Sequence, residues 1–117
     1  MQPNHSTALI TTALKSTDGD IELLRDVIDM FLEEYPTLIL QLETAIPLTD
    51  FEVVQRASHT IKGTLRMFED IPAKEIATDL EQMGKSHSLL GAEGKLESLK
   101  LALESLRNQL IVGLQNF

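Results

Sequence analysis

The sequence predicts an all-α protein: an antiparallel, up-down four-helix bundle with a short additional helix at the N-terminus. Leucine-rich segments repeat their apolar residues at three- and four-residue steps, and no segment sustains the alternation typical of a β-strand. Aromatic residues make up only 4% of the chain, which also disfavours sheets. At 117 residues the chain has room for a single domain, which we expect to cover residues 1–117.

The first two helices are predicted on either side of a polar cluster, Ser16–Asp20. A short helix should cover about Ser6–Lys15, and the second should begin near Asp20, a residue type that caps helices. Pro36 falls inside the second helix, and the periodicity resumes after it. The pattern therefore predicts a kinked continuous helix, with a break as the alternative. The apolar face of this helix consists of Ile21, Leu24, Ile28, Phe31, Leu32, Leu38, Ile39 and Leu42.

A third helix is predicted over about Phe51–Met67. It follows a turn at Pro47–Asp50 that offers Thr49 or Asp50 as the helix cap. The residues that should be buried recur at helical spacing and are Val54, Ala57, Ile61, Leu65 and Phe68.

Two further helices complete the predicted bundle. Pro72, after the boundary Asp70-Ile71, suits the first turn of a fourth helix that should run to about Met83 and end at Gly84. Residues 85–94 should form a loop or a frayed helical start before the last helix. Inward-facing residues are Ile76, Ala77, Leu80 and Met83 in the fourth helix, and Leu96, Leu99, Leu103, Leu106, Leu110 and Leu114 in the last, whose stripe could extend to Phe117.

The composition excludes several classes of function. Eighteen acidic and ten basic residues give a net charge of -8, which disfavours nucleic acid and anionic membranes as partners. The absence of cysteine excludes disulfides and thiolate sites. No uninterrupted apolar run approaches the roughly 20 residues that cross a bilayer. We therefore expect a soluble, cytoplasmic protein, a monomer without membrane insertion, whose partners are proteins.

The third helix carries the most informative residue, His59. At about 100° per residue, its side chain points roughly 120 to 160° away from the buried positions of that helix, and thus into solvent. An imidazole with an ordinary pKa of about 6.5 offers a neutral nitrogen nucleophile at cellular pH. His59 is therefore a candidate nucleophile, whereas His5 and His87, in a chain end and a polar loop, are interpreted as ordinary surface residues.

The neighbours of the imidazole are cationic. Gln55, Arg56, Lys62 and, one turn further on, Arg66 share or adjoin its side of the helix, and no acidic residue lies between positions 53 and 68. Such a patch in an acidic protein would stabilise a phosphoryl group and attract the acidic site that donates it. The interpretation requires an outward ring that is surrounded by cations rather than by carboxylates.

Gly63 is the second unusual feature of this helix. Glycine inside a helix costs about 1 kcal/mol relative to alanine. A missing side chain one turn beyond the histidine would leave room for phosphoryl oxygens and for an approaching partner. The alternative explanation of this glycine is close packing between helices.

The segment Ala57–Thr64 contains His-x-x-Lys-Gly and resembles the signature of histidine-containing phosphotransfer (HPt) domains. Three upstream motifs resemble the second helix of that family, so the resemblance covers almost the whole chain: Gly19-Asp20-x-x-Leu23-Leu24, Phe31-Leu32-Glu33 and Pro36-x-Leu38.

The resemblance implies a role for each matching residue. His59 corresponds to the phosphorylated histidine, through its outer ring nitrogen, Lys62 to the lysine that holds the phosphoryl group, and Gly63 to the glycine that leaves room for it. Family members often place a Gln or a similar residue of the following helix against the ring, and Glu81, with Gln82 beside it, stands at about that position.

The chain also departs from the family pattern. Leu65 and Arg66 replace small residues after the glycine, and Glu69 replaces a further glycine, which affects the expected docking of partners. Ser58 replaces the usual alanine before the histidine, a minor change.

The resemblance implies a covalent phosphoryl carrier, not an enzyme with its own nucleotide site. Its partners would be receiver domains of response regulators and hybrid sensor histidine kinases, and the receiver would supply Mg²⁺, because no cluster of metal-binding carboxylates accompanies His59. Whether the chain acts alone or as a domain of a membrane-anchored hybrid kinase stays open.

Two other classes of function compete with this interpretation. A helical-bundle adaptor could dock a partner with His59 incidental. An enzyme, either a histidine kinase or a carboxylate-bridged metal bundle, fits less well. The chain lacks a glycine-rich phosphate loop. It also lacks Glu-x-x-His pairs, since Arg56 and Gly84 stand three residues before His59 and His87.

Overall fold

The computed structural model of the protein describes residues 5–69 and 71–117, and all regular structure within them is helical. The all-α prediction is therefore confirmed. The elements are α1 (His5–Leu14), a 3-10 turn (Lys15–Thr17), α2 (Ile21–Ala45), α3 (Phe51–Thr64), α4 (Pro72–Lys85) and α5 (Ala92–Leu114).

Helices α2 to α5 form the bundle, and α1 packs mainly against α5. Helix α3 contacts α2 on one side and α4 on the other, and α5 closes the bundle against α4 and α2. Short turns join these helices, which makes neighbours in sequence neighbours in space. No helix of the described ranges has the length and apolarity needed to cross a bilayer.

Helix α2 is continuous through Pro36, as the periodicity predicts. The side chain of Asp20 caps its first turn by accepting a hydrogen bond from the Leu23 amide at 3.0 Å. Pro36 is exposed, so the hydrogen bond that proline removes from the helix is lost on the solvent side.

Helix α3 begins at an Asp50 cap, whose carboxylate accepts from the Val53 amide at 3.2 Å, and ends at Thr64 rather than at Met67. The predicted end is therefore wrong by three residues. Leu65 and Phe68, in the turns that follow, are nevertheless buried as predicted, because the chain continues across the core after the helix stops.

Helix α4 begins at Pro72 as predicted, but it continues through Gly84 to Lys85. The interpretation of Gly84 as the end of the helix is wrong. A Cβ atom at Gly84 would lie 2.7 Å from the backbone nitrogen of Gln55, so this glycine instead lets α3 and α4 approach closely. Asp70 of the predicted boundary lies outside the described residues.

Helix α5 begins at Ala92, so the loop predicted for residues 85–94 is shorter and Gly94 is helical. Its leucines form one side of the core, with Leu99, Leu103 and Leu110 fully buried. The extension of this stripe to Phe117 is wrong, because Phe117 is exposed beyond the end of the helix.

Candidate functional site

His59 lies in the middle of α3 with its ring turned outward, as the helical period predicts. The side chain is 58% exposed, whereas the neighbouring residues Ala57, Ser58 and Ile61 are buried. The helix is thus anchored to the core on one side and presents the imidazole on the other.

Glu81 of α4 holds the ring from the side. Its carboxylate is buried, and Oε2 lies 2.6 Å from Nδ1 of His59. The other oxygen, Oε1, accepts a hydrogen bond from Nζ of Lys62, and Nζ of Lys85 lies 3.8 Å from Oε2. One buried carboxylate therefore links His59 to two lysines on two helices.

The charge state of Glu81 decides which nitrogen of His59 is free. The hydrogen bond from Lys62 is the main cause that lowers the pKa of Glu81 below its ordinary value of 4.5, against a smaller opposing effect of burial. Glu81 is therefore a carboxylate at cellular pH and accepts a hydrogen bond from Nδ1–H. This fixes the neutral imidazole in the tautomer whose lone pair is on Nε2, away from Glu81.

Lys62 lies beside His59 but is largely shielded from solvent. Its side chain is only 29% exposed, because its ammonium pairs with the buried Glu81. The expectation of a ring surrounded by cations rather than by carboxylates is therefore wrong in part: Glu81 of α4 contacts the ring, and Glu52, in the first turn of α3, lies 3.6 Å from Arg56. Glu81 is neutralised by its lysines, so the ring does not face an uncompensated negative charge.

Among the other predicted residues, Gln55 and Arg56 line a cavity of about 390 Å³ beside His59. Arg66 lies beyond the end of α3 and is exposed. Gln82 is exposed on α4, and its amide donates to Oγ of Ser86 at 3.0 Å, so Glu81 rather than Gln82 contacts the ring.

Gly63 faces open space. A Cβ atom built at this position would have no atom within 4 Å outside its own helical surroundings. Close packing between helices therefore does not explain this glycine, and the space beside His59 on this side is free.

Close contact between α3 and α4 brings Glu81 to the histidine. Gly84, one turn after Glu81, packs on the backbone of Phe51 and Gln55, with the oxygen of Phe51 only 2.9 Å from a Cβ atom built there. A larger residue would separate the helices and withdraw the carboxylate from the ring.

Sequence reasoning missed Lys85 near His59 and underestimated Ser58. Lys85 contacts Glu81, and the signal was available, because residues four apart share one side of a helix. Ser58 is fully buried and its Oγ has no hydrogen-bond partner among the described residues. The exchange of alanine for serine there is therefore not minor for stability.

The other histidines lie elsewhere. His5 is the exposed first residue of α1. His87 is exposed in the loop after α4 and stacks on Phe51, with ring centroids 4.6 Å apart. The described residues include no group of three or more side chains suited to hold a metal ion.

A small helical bundle that presents an exposed imidazole among lysines and arginines fits a protein that carries a phosphoryl group on histidine. The family model of the Hpt domain matches residues 26–109, from within α2 to within α5. The chain therefore belongs to the Hpt family, whose domains act in histidine phosphotransfer within phosphorelays as phosphate carriers rather than as classical enzymes. Comparisons with curated proteins and with solved structures found no match.

Proposed function

We propose that this chain accepts a phosphoryl group on Nε2 of His59 and donates it again, between sensor kinases and the aspartates of receiver domains. The observation that carries the proposal is the hydrogen bond of 2.6 Å between the buried Glu81 carboxylate and Nδ1 of the exposed His59 ring. It leaves one nitrogen nucleophilic and accessible to a partner.

The transfer step follows from this geometry. The Nε2 lone pair attacks the phosphorus of an acyl phosphate, the P–O bond to the aspartate breaks, and the aspartate leaves as a carboxylate with the electron pair. Positive charge develops on the ring, which keeps its proton on Nδ1, and the Glu81 carboxylate offsets that charge. The reverse step returns neutral imidazole, so the same site supports flow in either direction.

The neighbouring residues assist in different ways. Lys62 keeps Glu81 ionised and close to the ring, and Gly63 leaves space for the partner to approach. Arg56 and Arg66 add positive charge that attracts the acidic site of a receiver. The receiver would supply Mg²⁺, since phosphoryl transfer depends on positioning and charge neutralisation.

Incubation with a sensor kinase, a receiver domain and labelled ATP tests the proposal. We expect label that is lost in acid and stable in alkali, as for phosphohistidine, and its later movement to the receiver. His59→Gln should abolish labelling, whereas His87→Gln, a matched change of another exposed histidine, should leave it unchanged. Label that survives acid, or that persists in His59→Gln, contradicts the proposal.

The adaptor alternative predicts a different outcome. An adaptor in which the histidine is incidental would bind its partner and support signalling equally well in wild type and His59→Gln. Loss of signalling with retained partner binding in His59→Gln supports phosphotransfer.

A further inference from the structure

The cavity beside His59 extends from the imidazole toward the N-terminal end of α3. Its lining residues are Glu52, Gln55, Arg56, His59, Glu81 and Lys85. Lys62 and Gly63, on the other side of the histidine, do not line it. Side chains on a helix lean toward its N-terminus, so the His59 ring is carried toward this cavity rather than toward Gly63.

Lys85 is the lysine of this cavity, and it lies beside the carboxylate that holds the His59 ring. Its Nζ lies 3.8 Å from Oε2 of Glu81, and that oxygen lies 2.6 Å from Nδ1 of His59. The ammonium and the ring therefore contact the same carboxylate oxygen from two sides, so Lys85 lies close to His59. Its side chain is 49% exposed, and it donates no hydrogen bond within the described part of the chain.

The other two cations near the ring are placed differently. Lys62 donates to Oε1 of Glu81 and is mostly shielded from solvent. Arg56 lies 3.6 Å from Glu52, one turn earlier on the same helix. Lys62 would have to give up its hydrogen bond with Glu81 to reach a phosphoryl oxygen, and Arg56 is paired with Glu52 rather than with the carboxylate at the ring. Among the described residues Lys85 has only its ion pair with Glu81, so its three N–H groups can turn to new acceptors.

We propose that Lys85 binds the phosphoryl group on His59, with oxygens of that group lying in the cavity between α3 and the end of α4. The inference rests on the proposed function and gives α4 a direct contact with the phosphoryl group. When Nε2 is phosphorylated, the Lys85 ammonium moves from its loose contact with Glu81 to a phosphoryl oxygen. Glu81 keeps its contacts with His59 and Lys62. No bond to Lys85 forms or breaks.

Phosphoramidate tests this assignment without a protein partner. It is a small anionic donor: Nε2 attacks its phosphorus, the P–N bond breaks, and ammonia leaves. We expect Lys85→Gln to slow formation of phosphohistidine by roughly 5-fold, the size of one partly exposed charge-assisted contact, and Lys85→Arg to restore most of the rate. Lys95→Gln is the matched control, since Lys95 is 45% exposed, is paired with Asp79 and is absent from the cavity lining.

The outcomes separate this inference from the proposed function. Equal phosphoramidate rates in wild type and Lys85→Gln overturn the role of Lys85 while His59 remains the carrier. A defect of Lys85→Gln that is seen with the protein partner and not with phosphoramidate also overturns it, because the lysine would then contact the partner. Wild-type protein that takes label from the kinase and receiver pair but not from phosphoramidate contradicts a preformed phosphoryl cavity. No label on His59 from either donor refutes the proposed function and this inference together.

Discussion

Gly63 and Gly84 are both helical glycines close to His59, yet their surroundings are opposite. A Cβ atom at Gly84 would collide with the backbone of α3, whereas one at Gly63 would meet nothing. Gly84 therefore serves the contact between α3 and α4, and Gly63 weakens its helix without a packing gain. The comparison distinguishes two sides of α3. At the seam, Gly84 of α4 packs against Phe51 and Gln55 and so keeps Glu81 near His59. The open flank, at Gly63, is free for a partner to approach.

The largest effect is expected at the seam. Gly84→Ala should lower the free energy of unfolding by about 3 kcal/mol, because the added methyl group meets backbone atoms that cannot move aside alone. It should also weaken the contact between Glu81 and His59. Chemical denaturation measures the first effect, and the histidine chemical shifts of the folded variant measure the second. An unfolding free energy within about 0.5 kcal/mol of wild type would show that α3 and α4 are not closely packed at Gly84.

Removal of the Lys62 ammonium should have the next largest effect. Lys62→Ala leaves the buried Glu81 carboxylate without its main partner, and we expect a loss of about 1–2 kcal/mol, discounted for the partial exposure of Lys62. Denaturation at neutral pH measures this loss. Lys100→Ala is the control, since its ammonium pairs with exposed carboxylates.

The pH dependence of that loss tests its cause. The folded-state pKa of Glu81 is lowered, so its ionic contacts add stability above its ordinary pKa of 4.5, and this stability is lost as pH falls through the lower folded-state pKa. The difference between wild type and Lys62→Ala should therefore shrink on acidification below about pH 4.5. A difference that stays constant down to pH 2 would mean that Lys62 acts by packing alone.

A smaller effect of opposite sign is expected at Ser58. Its buried Oγ has no partner among the described residues, so Ser58→Ala should raise the free energy of unfolding by about 1 kcal/mol. Denaturation in parallel with wild type provides the measurement, and phosphotransfer rates should not change. A destabilised Ser58→Ala would indicate that the hydroxyl group is satisfied in solution, for example by a bound water molecule.

The smallest effect on stability is expected at the open flank. Gly63→Ala should stabilise the helix by about 0.5–1 kcal/mol, because nothing opposes the new methyl group. Transfer to a receiver should slow, since the methyl group occupies space through which the partner approaches His59. Denaturation and transfer assays on one preparation test both effects. A destabilised variant would show that Gly63, like Gly84, has no room for a methyl group.

The same contrast explains which features the sequence could predict. The outward position of His59 and the buried leucines of α5 follow from helical periodicity, which is a local property of the chain. The role of Gly84 does not, because a glycine near the end of a helix looks the same whether it terminates the helix or admits a neighbour. Only the contact with Gln55, 29 positions earlier in the sequence, reveals the difference.

The polar contacts of the site also depend on how the helices pack, which the local sequence does not show. Glu81 was indicated by the family resemblance alone, since no spacing relates it to a histidine on another helix. The partial burial of Lys62 and the isolation of the Ser58 hydroxyl group depend on how α3 packs against its neighbours. Lys85 could have been found from its position four residues after Glu81, once Glu81 was suspected of contacting the ring.

The most direct test of the account is the identity of the phosphorylated nitrogen. The phosphoprotein can be prepared with ¹⁵N-labelled histidine and analysed by NMR, where coupling to ³¹P distinguishes the two ring nitrogens. Because Glu81 occupies Nδ1, the account predicts a phosphoryl group on Nε2 of His59 and a proton retained on Nδ1. Phosphorus bonded to Nδ1, or to a residue other than His59, would contradict it.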